Sequence, residues 1–143
     1  MNQQLQGQRT LGSLRIAAST VGAGDNEITF TVSGSGGSES ATVFAPEGEL
    51  AAFHGKLTAL ATEKSAAGGG FAIGRDQDRV VFDSKGYDGG QYQFVVTVAR
   101  GEGASPAVAF AAPVSDAALD RLVAQLGQLA SAGEGTLDWA VSA

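Results

Sequence analysis

Hydrophobic and polar residues alternate along much of this chain, and the longest alternating run extends from Gln91 to Arg100. Tyr92, Phe94, Val96 and Val98 share one face of that run, which is the period of a β-strand with one buried side. At about 3.3 Å per residue such a strand spans about 30 Å, the width of a small domain. Shorter runs predict seven more strands, at about 12–18, 27–32, 41–44, 71–73, 80–82, 107–110 and 137–141.

Two segments have helical spacing instead. Their large apolar residues recur at intervals of three, four and three, which predicts amphipathic helices from about Glu47 to Lys64 and from Ser115 onward. The first stripe is Leu50, Phe53, Leu57 and Leu60, and the second is Leu119, Leu122, Leu126 and Leu129. Pro46 and Ser115 suit helix starts, and glycine-rich segments follow both helices.

These elements predict an α+β fold. Because each helix has one apolar stripe and the long strand has one apolar face, we expect two layers: a strongly twisted antiparallel sheet of seven or eight strands with two helices packed on one face. The chain has 143 residues, which fits one domain. We expect residues 1–11 to form a flexible N-terminal tail and residues 12–143 to form the domain.

The order hairpin, helix, short strand occurs twice. In both cases the returning strand ends in phenylalanine followed shortly by proline, at Phe44 to Pro46 and at Phe110 to Pro113. The helical stripes lie about 69 positions apart. This pattern indicates an internal structural repeat, although amphipathic helices share such spacing by chance as well.

Composition and charge narrow the possible functions. The chain has no cysteine and a formal net charge of −6, and its nine lysines and arginines are scattered. Binding to nucleic acid needs clustered lysine and arginine residues, so we expect no nucleic-acid partner. No apolar run is long enough to span a membrane, and the first residues lack an apolar signal core, so we expect a cytoplasmic protein.

Catalytic and metal-binding patterns are weak in this sequence. His54, the only histidine, lies at the margin of the first apolar stripe, with no nucleophile motif near it in the sequence. The acidic residues between 76 and 88 lack the glycine and oxygen spacing of a calcium loop. We therefore expect a protein that is not an enzyme and has no cofactor and no metal.

The same acidic segment is the best candidate for a binding surface. Asp76, Asp78 and Asp88 fall in predicted turns, and Tyr87 lies between Gly86 and Asp88, where we expect an exposed aromatic side chain. Binding residues often lie on loops carried by a rigid sheet. We therefore predict that these four residues contact a protein partner, and the three carboxylates suit a basic one.

The segment Asp83-Ser84-Lys85-Gly86, with the strand Gly89 to Val96 after it, resembles the WapI-type immunity proteins. The overall plan is similar too, with Leu50 and Phe53 on the first helix and Ser115-Asp116 before Leu119 at the second. The resemblance covers about residues 27–130. It implies a small cytoplasmic protein of bacterial polymorphic toxin systems that binds and blocks a protein toxin. It transfers no interface residue to this chain.

Three classes of function remain open from the sequence, and the least supported is an enzyme or small-ligand binder, because no base–nucleophile or metal constellation is present in the sequence. The first is an immunity-type protein that neutralises a protein toxin through a non-catalytic interface, with a basic toxin domain as the candidate partner. The alternative is a structural or assembly module that self-associates or binds a protein partner without enzymatic activity. The sequence leaves the oligomeric state undetermined.

Overall fold

The computed structural model describes residues 8–21, 25–45, 48–64, 68–73, 78–99 and 107–141. These residues form eight strands and two helices, which confirms the predicted α+β class. In chain order the elements are β1 Gln8–Val21, β2 Asp25–Gly34, β3 Gly37–Ala45, α1 Glu49–Glu63, β4 Gly69–Ile73, β5 Arg79–Asp88, β6 Gln91–Ala99, β7 Val108–Ser115, α2 Asp116–Ala132 and β8 Gly135–Ala140.

All eight strands belong to one sheet. Seven of them follow the order β3-β2-β1-β7-β6-β5-β4, and β8 pairs with β1 outside that path. Six of the seven pairings are antiparallel, and the remaining one, between Gln8–Thr10 of β1 and Ala109–Ala111 of β7, is parallel. The sheet is therefore antiparallel except at this short central seam.

The core lies between the sheet and the two helices, which also pack against each other. Along β6 the four residues of the predicted apolar face are all buried, as the alternation requires. Phe53 of α1 packs against Phe30, Phe71 and Phe82 with ring centroids between 5.0 and 5.9 Å apart. Trp139 of β8 is buried and donates from Nε1 to the Ala118 carbonyl of α2 at 2.8 Å.

The predicted internal repeat is present in the topology. Three antiparallel strands, a helix and a short strand occur twice, as β1-β2-β3-α1-β4 and as β5-β6-β7-α2-β8. The last strand of each half pairs with the first strand of the other, β4 with β5 and β8 with β1. Each half thus completes the sheet of its counterpart.

Equivalent backbone hydrogen bonds cap the C-terminal ends of the two helices. Lys64 and Gly133 both have left-handed backbone angles, and their amides donate to the carbonyls of Leu60 and Leu129 respectively. The second strand of each half then holds the helix end of the other half. Tyr92 Oη donates to the Ala61 carbonyl at 3.0 Å, and Asn26 Nδ2 donates to the Gly133 carbonyl at 3.3 Å.

The phenylalanines that suggested the repeat are not equivalent, however. Phe44 lies on the outer face of the sheet and is 69% exposed, whereas Phe110 is fully buried. The register shows why, because Phe110 pairs with inward-facing Val96 while Phe44 pairs with Glu27. The structural repeat is carried by the helices and the strand order rather than by this motif.

The predicted boundary of the flexible tail is wrong for residues 8–11. Gln8 to Leu11 belong to β1, and Leu11 is buried. Gln8 to Thr10 are held by the pairing with β7, about a hundred residues away, which local patterning does not reveal, and Leu11 pairs with Gly34 of β2. Residues 1–7 lie outside the described part of the chain.

The turn predicted after Phe82 is also shorter than expected. Strand β5 continues to Asp88, and the reversal uses only Gly89 and Gly90, both with positive φ. A register shift between Ser84 and Tyr87 marks a bulge, where Ser84 Oγ bonds both the amide and the carbonyl of Gly86. A bulge keeps a strand paired while changing which side chains face inward.

Candidate functional site

The structure places Asp78 apart from Tyr87 and Asp88, with which the sequence grouped it in one binding surface. Asp78 immediately precedes β5 and Asp88 ends it. Since a strand rises about 3.3 Å per residue, their backbones lie about 30 Å apart. Asp76 lies outside the described residues. Asp78 and Asp88 therefore belong to different parts of the surface.

Asp78 is half-buried at the side of β3. Its Oδ2 accepts a hydrogen bond from the Thr42 amide at 3.3 Å. This contact ties the start of β5 to β3, as the parallel pairing ties the start of β1 to β7. Asp78 thus has a structural contact that the sequence did not predict. Asp88, at the other end of the strand, is exposed.

The prediction that Tyr87 is exposed is wrong. The bulge turns its side chain toward the helices, where its ring packs against Tyr92 with centroids 4.7 Å apart. Its hydroxyl donates to Asp116 Oδ2 at 2.7 Å. Lys64 Nζ lies 3.5 Å from Asp116 Oδ1 and 5.8 Å from the centre of the Tyr87 ring. We call Lys64, Tyr87 and Asp116 the polar cluster.

The polar cluster joins three elements: the end of α1, the end of β5 and the first residue of α2. The Asp116 amide also donates to the Gly90 carbonyl at 3.1 Å, which fixes the β5–β6 turn against α2. A carboxylate in the first turn of a helix is favourable because the helix dipole is positive there. Ser115 caps the same end by accepting from the Ala118 amide at 3.1 Å, as the sequence predicted.

Sequence analysis missed Lys64 and Asp116 as members of a cluster. Lys64 is the only non-glycine residue with positive φ in the described chain. The equivalent residue after α2 is Gly133, for which this conformation has no steric cost. A glycine-rich segment after a helix ending in lysine signals only the helix end, so nothing local indicated that Lys64 would reach Asp116.

Both tyrosines of the chain have raised pKa values in the folded protein, for different reasons. The hydrogen bond to Asp116 raises the pKa of Tyr87, because the carboxylate stabilises the phenol proton. Burial raises the pKa of Tyr92 to about 12, with a smaller contribution from the nearby Asp116 charge. Near neutral pH these phenols donate hydrogen bonds and do not act as bases.

A groove of about 510 Å³ lies between α1 and β4, close to the polar cluster. One wall is the outer side of the helix and the other is the glycine-rich strand. We call it the α1–β4 groove. Its lining residues are Lys56, Ala59, Leu60 and Glu63 on the helix, with Gly68, Gly69, Gly70 and Phe71 on the strand side.

Strand β8 occupies the equivalent place beside α2, but side chains of α2 bond its backbone. Gln125 Nε2 donates to the Asp138 carbonyl at 2.8 Å, and an Arg121 guanidinium nitrogen donates to the Ala140 carbonyl at 3.0 Å. Among the described residues, no side chain of α1 makes such a bond to β4. The two ends of the pseudo-symmetric sheet therefore differ in their backbone hydrogen bonding.

The outer face of β2 and β3 is polar, with one exception. Cross-strand hydroxyl pairs lie between Thr29 and Thr42 at 3.1 Å and between Thr31 and Ser40 at 3.0 Å. Phe44 lies beyond them at the end of β3 and is the exposed large hydrophobic residue of the described surface. Such an isolated ring on a polar face offers one anchor point for a partner.

The described residues include no helix long and apolar enough to cross a membrane. In the same part of the chain, no three histidine, aspartate or glutamate side chains are grouped so that they could hold a metal ion.

Comparison with known proteins finds distant likeness in fold and none in sequence family. No protein-family model and no curated protein matches the sequence. Among solved structures, the fold is similar to that described as "Structure of the plant transcriptional regulator PBF-2", with a TM-score of 0.48 and 12% identity. That match covers 85% of this chain and 77% of the other. A likeness of this degree carries no inference about function.

Proposed function

We propose that this chain is a non-catalytic protein-binding module of the immunity type, which binds a protein toxin and blocks it in the cytoplasm. The observation that carries the proposal is the α1–β4 groove. It combines a strand edge, two partly buried apolar side chains, Leu60 and Phe71, and the exposed side chains of Lys56 and Glu63. Strand edges and apolar grooves are where proteins commonly capture segments of other proteins.

Charge supports a basic partner. The net charge of −6 favours association with a positively charged domain, mainly by accelerating encounter at low salt. Asp88 is exposed at the end of β5 and can contribute to this steering without any change in packing. Asp78 is half-buried against Thr42, so it is less suited to that role.

The test begins with a partner identified by affinity purification from the host that encodes the chain. The two proteins are then purified separately and mixed. We expect a complex of defined stoichiometry by light scattering, and co-expression of the chain should remove the toxicity of the partner in growing cells. A partner that binds but is equally toxic with and without the chain would contradict the immunity type.

Association rates at two salt concentrations test the role of charge. Asp88→Asn should slow association at low salt and have little effect at high salt. Glu134→Asn, an exposed acid after α2, removes the same charge at another part of the surface and serves as the matched control. Equal rates for Asp88→Asn and the unmodified chain would remove Asp88 from the binding surface.

A structural or assembly module is the second candidate, and exposed Phe44 favours it. A ring 69% exposed on an otherwise polar sheet face can anchor contact with another copy of the chain. Light scattering of the isolated protein separates the two candidates. A stable oligomer that dissociates on Phe44→Ser would support assembly, and a monomer at all concentrations would contradict it.

A further inference from the structure

The backbone of β8 shows which groups at a sheet end need a partner. The Val141 amide donates to the Gly12 carbonyl of β1 at 3.0 Å. The backbone amides and carbonyls of the odd-numbered residues in β8 therefore point toward β1. Backbone groups alternate in direction along a strand, so those of Asp138 and Ala140 point away from β1. These are the two carbonyls that Gln125 and Arg121 bond. The α2 side chains thus close the edge of β8.

The same alternation applies to β4 in the other half of the chain. Phe71 pairs with Phe82 of β5, as Leu137 pairs with Ile16 of β1. By this register Ala72 is equivalent to Asp138, and its amide and carbonyl point away from β5. The residue of α1 equivalent to Gln125 is Lys56, and no bond from Lys56 to β4 exists among the described residues. Within the part of the chain that the structure describes, the edge of β4 is therefore open where that of β8 is closed.

We propose that the α1–β4 groove binds an extended segment of the partner protein, which adds to the edge of β4 as one more strand. An unpaired backbone edge is matched best by another extended backbone, since each strand supplies the donors and acceptors that the other lacks. Gly69, Gly70 and Ala72 are exposed, so they leave room for a chain to approach. This proposal rests on the protein-binding function proposed above.

The helix wall specifies the chemistry of the segment. Lys56 and Glu63 are two helical turns apart on the same wall, which is about 10 Å along the axis. An extended chain covers that distance in about three residues. Because side chains of a strand share a face only at every second position, the fitting segment carries an acidic residue opposite Lys56, an apolar residue two positions away toward Leu60 and Phe71, and a basic residue four positions away within reach of Glu63. A second copy of this chain is the less suitable occupant, because each copy has a net charge of −6.

A library of linear peptides displayed on phage provides the probe, selected on the intact protein. We expect the selected peptides to share the acid–apolar–base spacing, and their binding should slow hydrogen exchange at the Ala72 amide. Protection at another strand, or failure to select any peptide, would overturn the proposal. So would a dimer of the chain alone that already protects this amide.

Two substitutions at Ala72 test the backbone contact. Ala72→Pro removes the outward amide without removing a bond to β5, and we expect peptide binding to weaken by about tenfold or more. Ala72→Val keeps the amide and suits a strand, so binding should be nearly unchanged. Equal affinities of the two variants would overturn the proposal.

A second pair of variants does not change β4 at all. Ala52→Arg combined with Lys56→Gln places on α1 the residues that close β8, at exposed helix positions. Ala51→Arg combined with Thr62→Gln introduces the same side chains on another side of the helix. We expect the first variant to lose peptide binding and the second to keep it. This pair of variants still tests the strand addition to β4 if Ala72→Pro fails to fold.

The same variants separate this inference from the proposed function. If the natural partner binds the Ala72→Pro and Ala52→Arg/Lys56→Gln variants as tightly as it binds the unmodified chain, the groove is not the binding site, although the protein-binding function holds. If peptides bind the groove but no natural protein partner forms a complex, the strand addition holds and the proposed function fails.

Discussion

At the scale of single residues, the contact between His54 and Gly127 shows how the two helices fit together. His54 is half-buried, as its place at the margin of the α1 stripe predicted. Its Nε2 lies 3.0 Å from where a Cβ on Gly127 would be. The sequence placed the histidine correctly relative to its own helix. It did not indicate the partner, because contacts between helices depend on how the stripes align in three dimensions.

This contact predicts coupled effects on stability. In a His54→Ala background, Gly127→Ala should raise the free energy of unfolding by about 1 kcal/mol, the usual preference of a helix interior for alanine. In the unmodified chain the gain should be smaller or reversed, because the histidine ring must move. Urea denaturation of the four proteins gives the coupling. Equal gains in both backgrounds would show that the ring does not restrict this position.

The two tyrosines make a second prediction at this scale, concerning pH. Both pKa values are raised in the folded chain, that of Tyr92 to about 12. Between pH 10 and 12 the unfolded chain therefore binds fewer protons than the folded chain, so stability falls as pH rises through this window. Below pH 10 the tyrosines leave stability unchanged.

Absorbance of the tyrosinate ion measures the ionisation of Tyr87 and Tyr92 directly, since the chain has only two tyrosines. At pH 10 the folded protein should show less than half of the tyrosinate that the urea-unfolded protein shows. Tyr92→Phe should abolish the ionisation near pH 12 and leave that of Tyr87. Half-ionisation near pH 10 in the folded state would contradict the hydrogen bond and the burial.

At the scale of elements, both helices and all eight strands could be predicted from the periodicity of apolar residues. Strand ends were less predictable, because pairing with distant segments sets them. Gln8 to Thr10 became strand through β7, and β5 extended to Asp88 through a bulge. The spacing of the candidate binding residues was predicted incorrectly for the same reason. The predicted strand between Asp78 and Asp88 had about three residues, whereas β5 has ten, so the two carboxylates lie much farther apart than the sequence indicated.

The two ends of β5 predict different responses to the same substitution. Asp78→Ala removes the acceptor of the Thr42 amide and should lower the free energy of unfolding by about 1–3 kcal/mol. Asp88→Ala removes an exposed carboxylate and should change it by no more than about 0.5 kcal/mol. Thermal and chemical denaturation of both variants measure the difference. Equal effects would show that Asp78 does not hold β5 to β3.

At the scale of the whole molecule, the exchange of the last strands is the feature that sequence could not supply. The repeat itself was visible as hairpin, helix and strand. Whether each short strand returns to its own half or crosses to the other depends on pairing, and both outcomes suit the same apolar pattern. In this chain β4 and β8 both cross.

Two fragments made by cutting the chain between Ile73 and Asp78 test this exchange. Each fragment lacks the strand that completes its sheet, so we expect neither to unfold cooperatively alone. Mixed in equal amounts, they should form a one-to-one complex with the circular dichroism of the intact chain. A fragment that folds cooperatively by itself would show that the crossed strands are dispensable.

The pairing of β1 with β8 also governs how the protein forms during synthesis. Arg15 and Asp138, joined across these strands at 2.7 Å, are separated by 123 residues. At about 5–20 residues per second, the ribosome needs roughly 6 to 25 s to supply that length. Throughout that interval Ser13 to Ala18 of β1 lack the backbone partner that β8, the last described strand, later supplies. Nascent chains on neighbouring ribosomes are then able to pair through this segment, so slow translation or crowded polysomes should favour aggregation, and a chaperone that shields β1 should raise the yield.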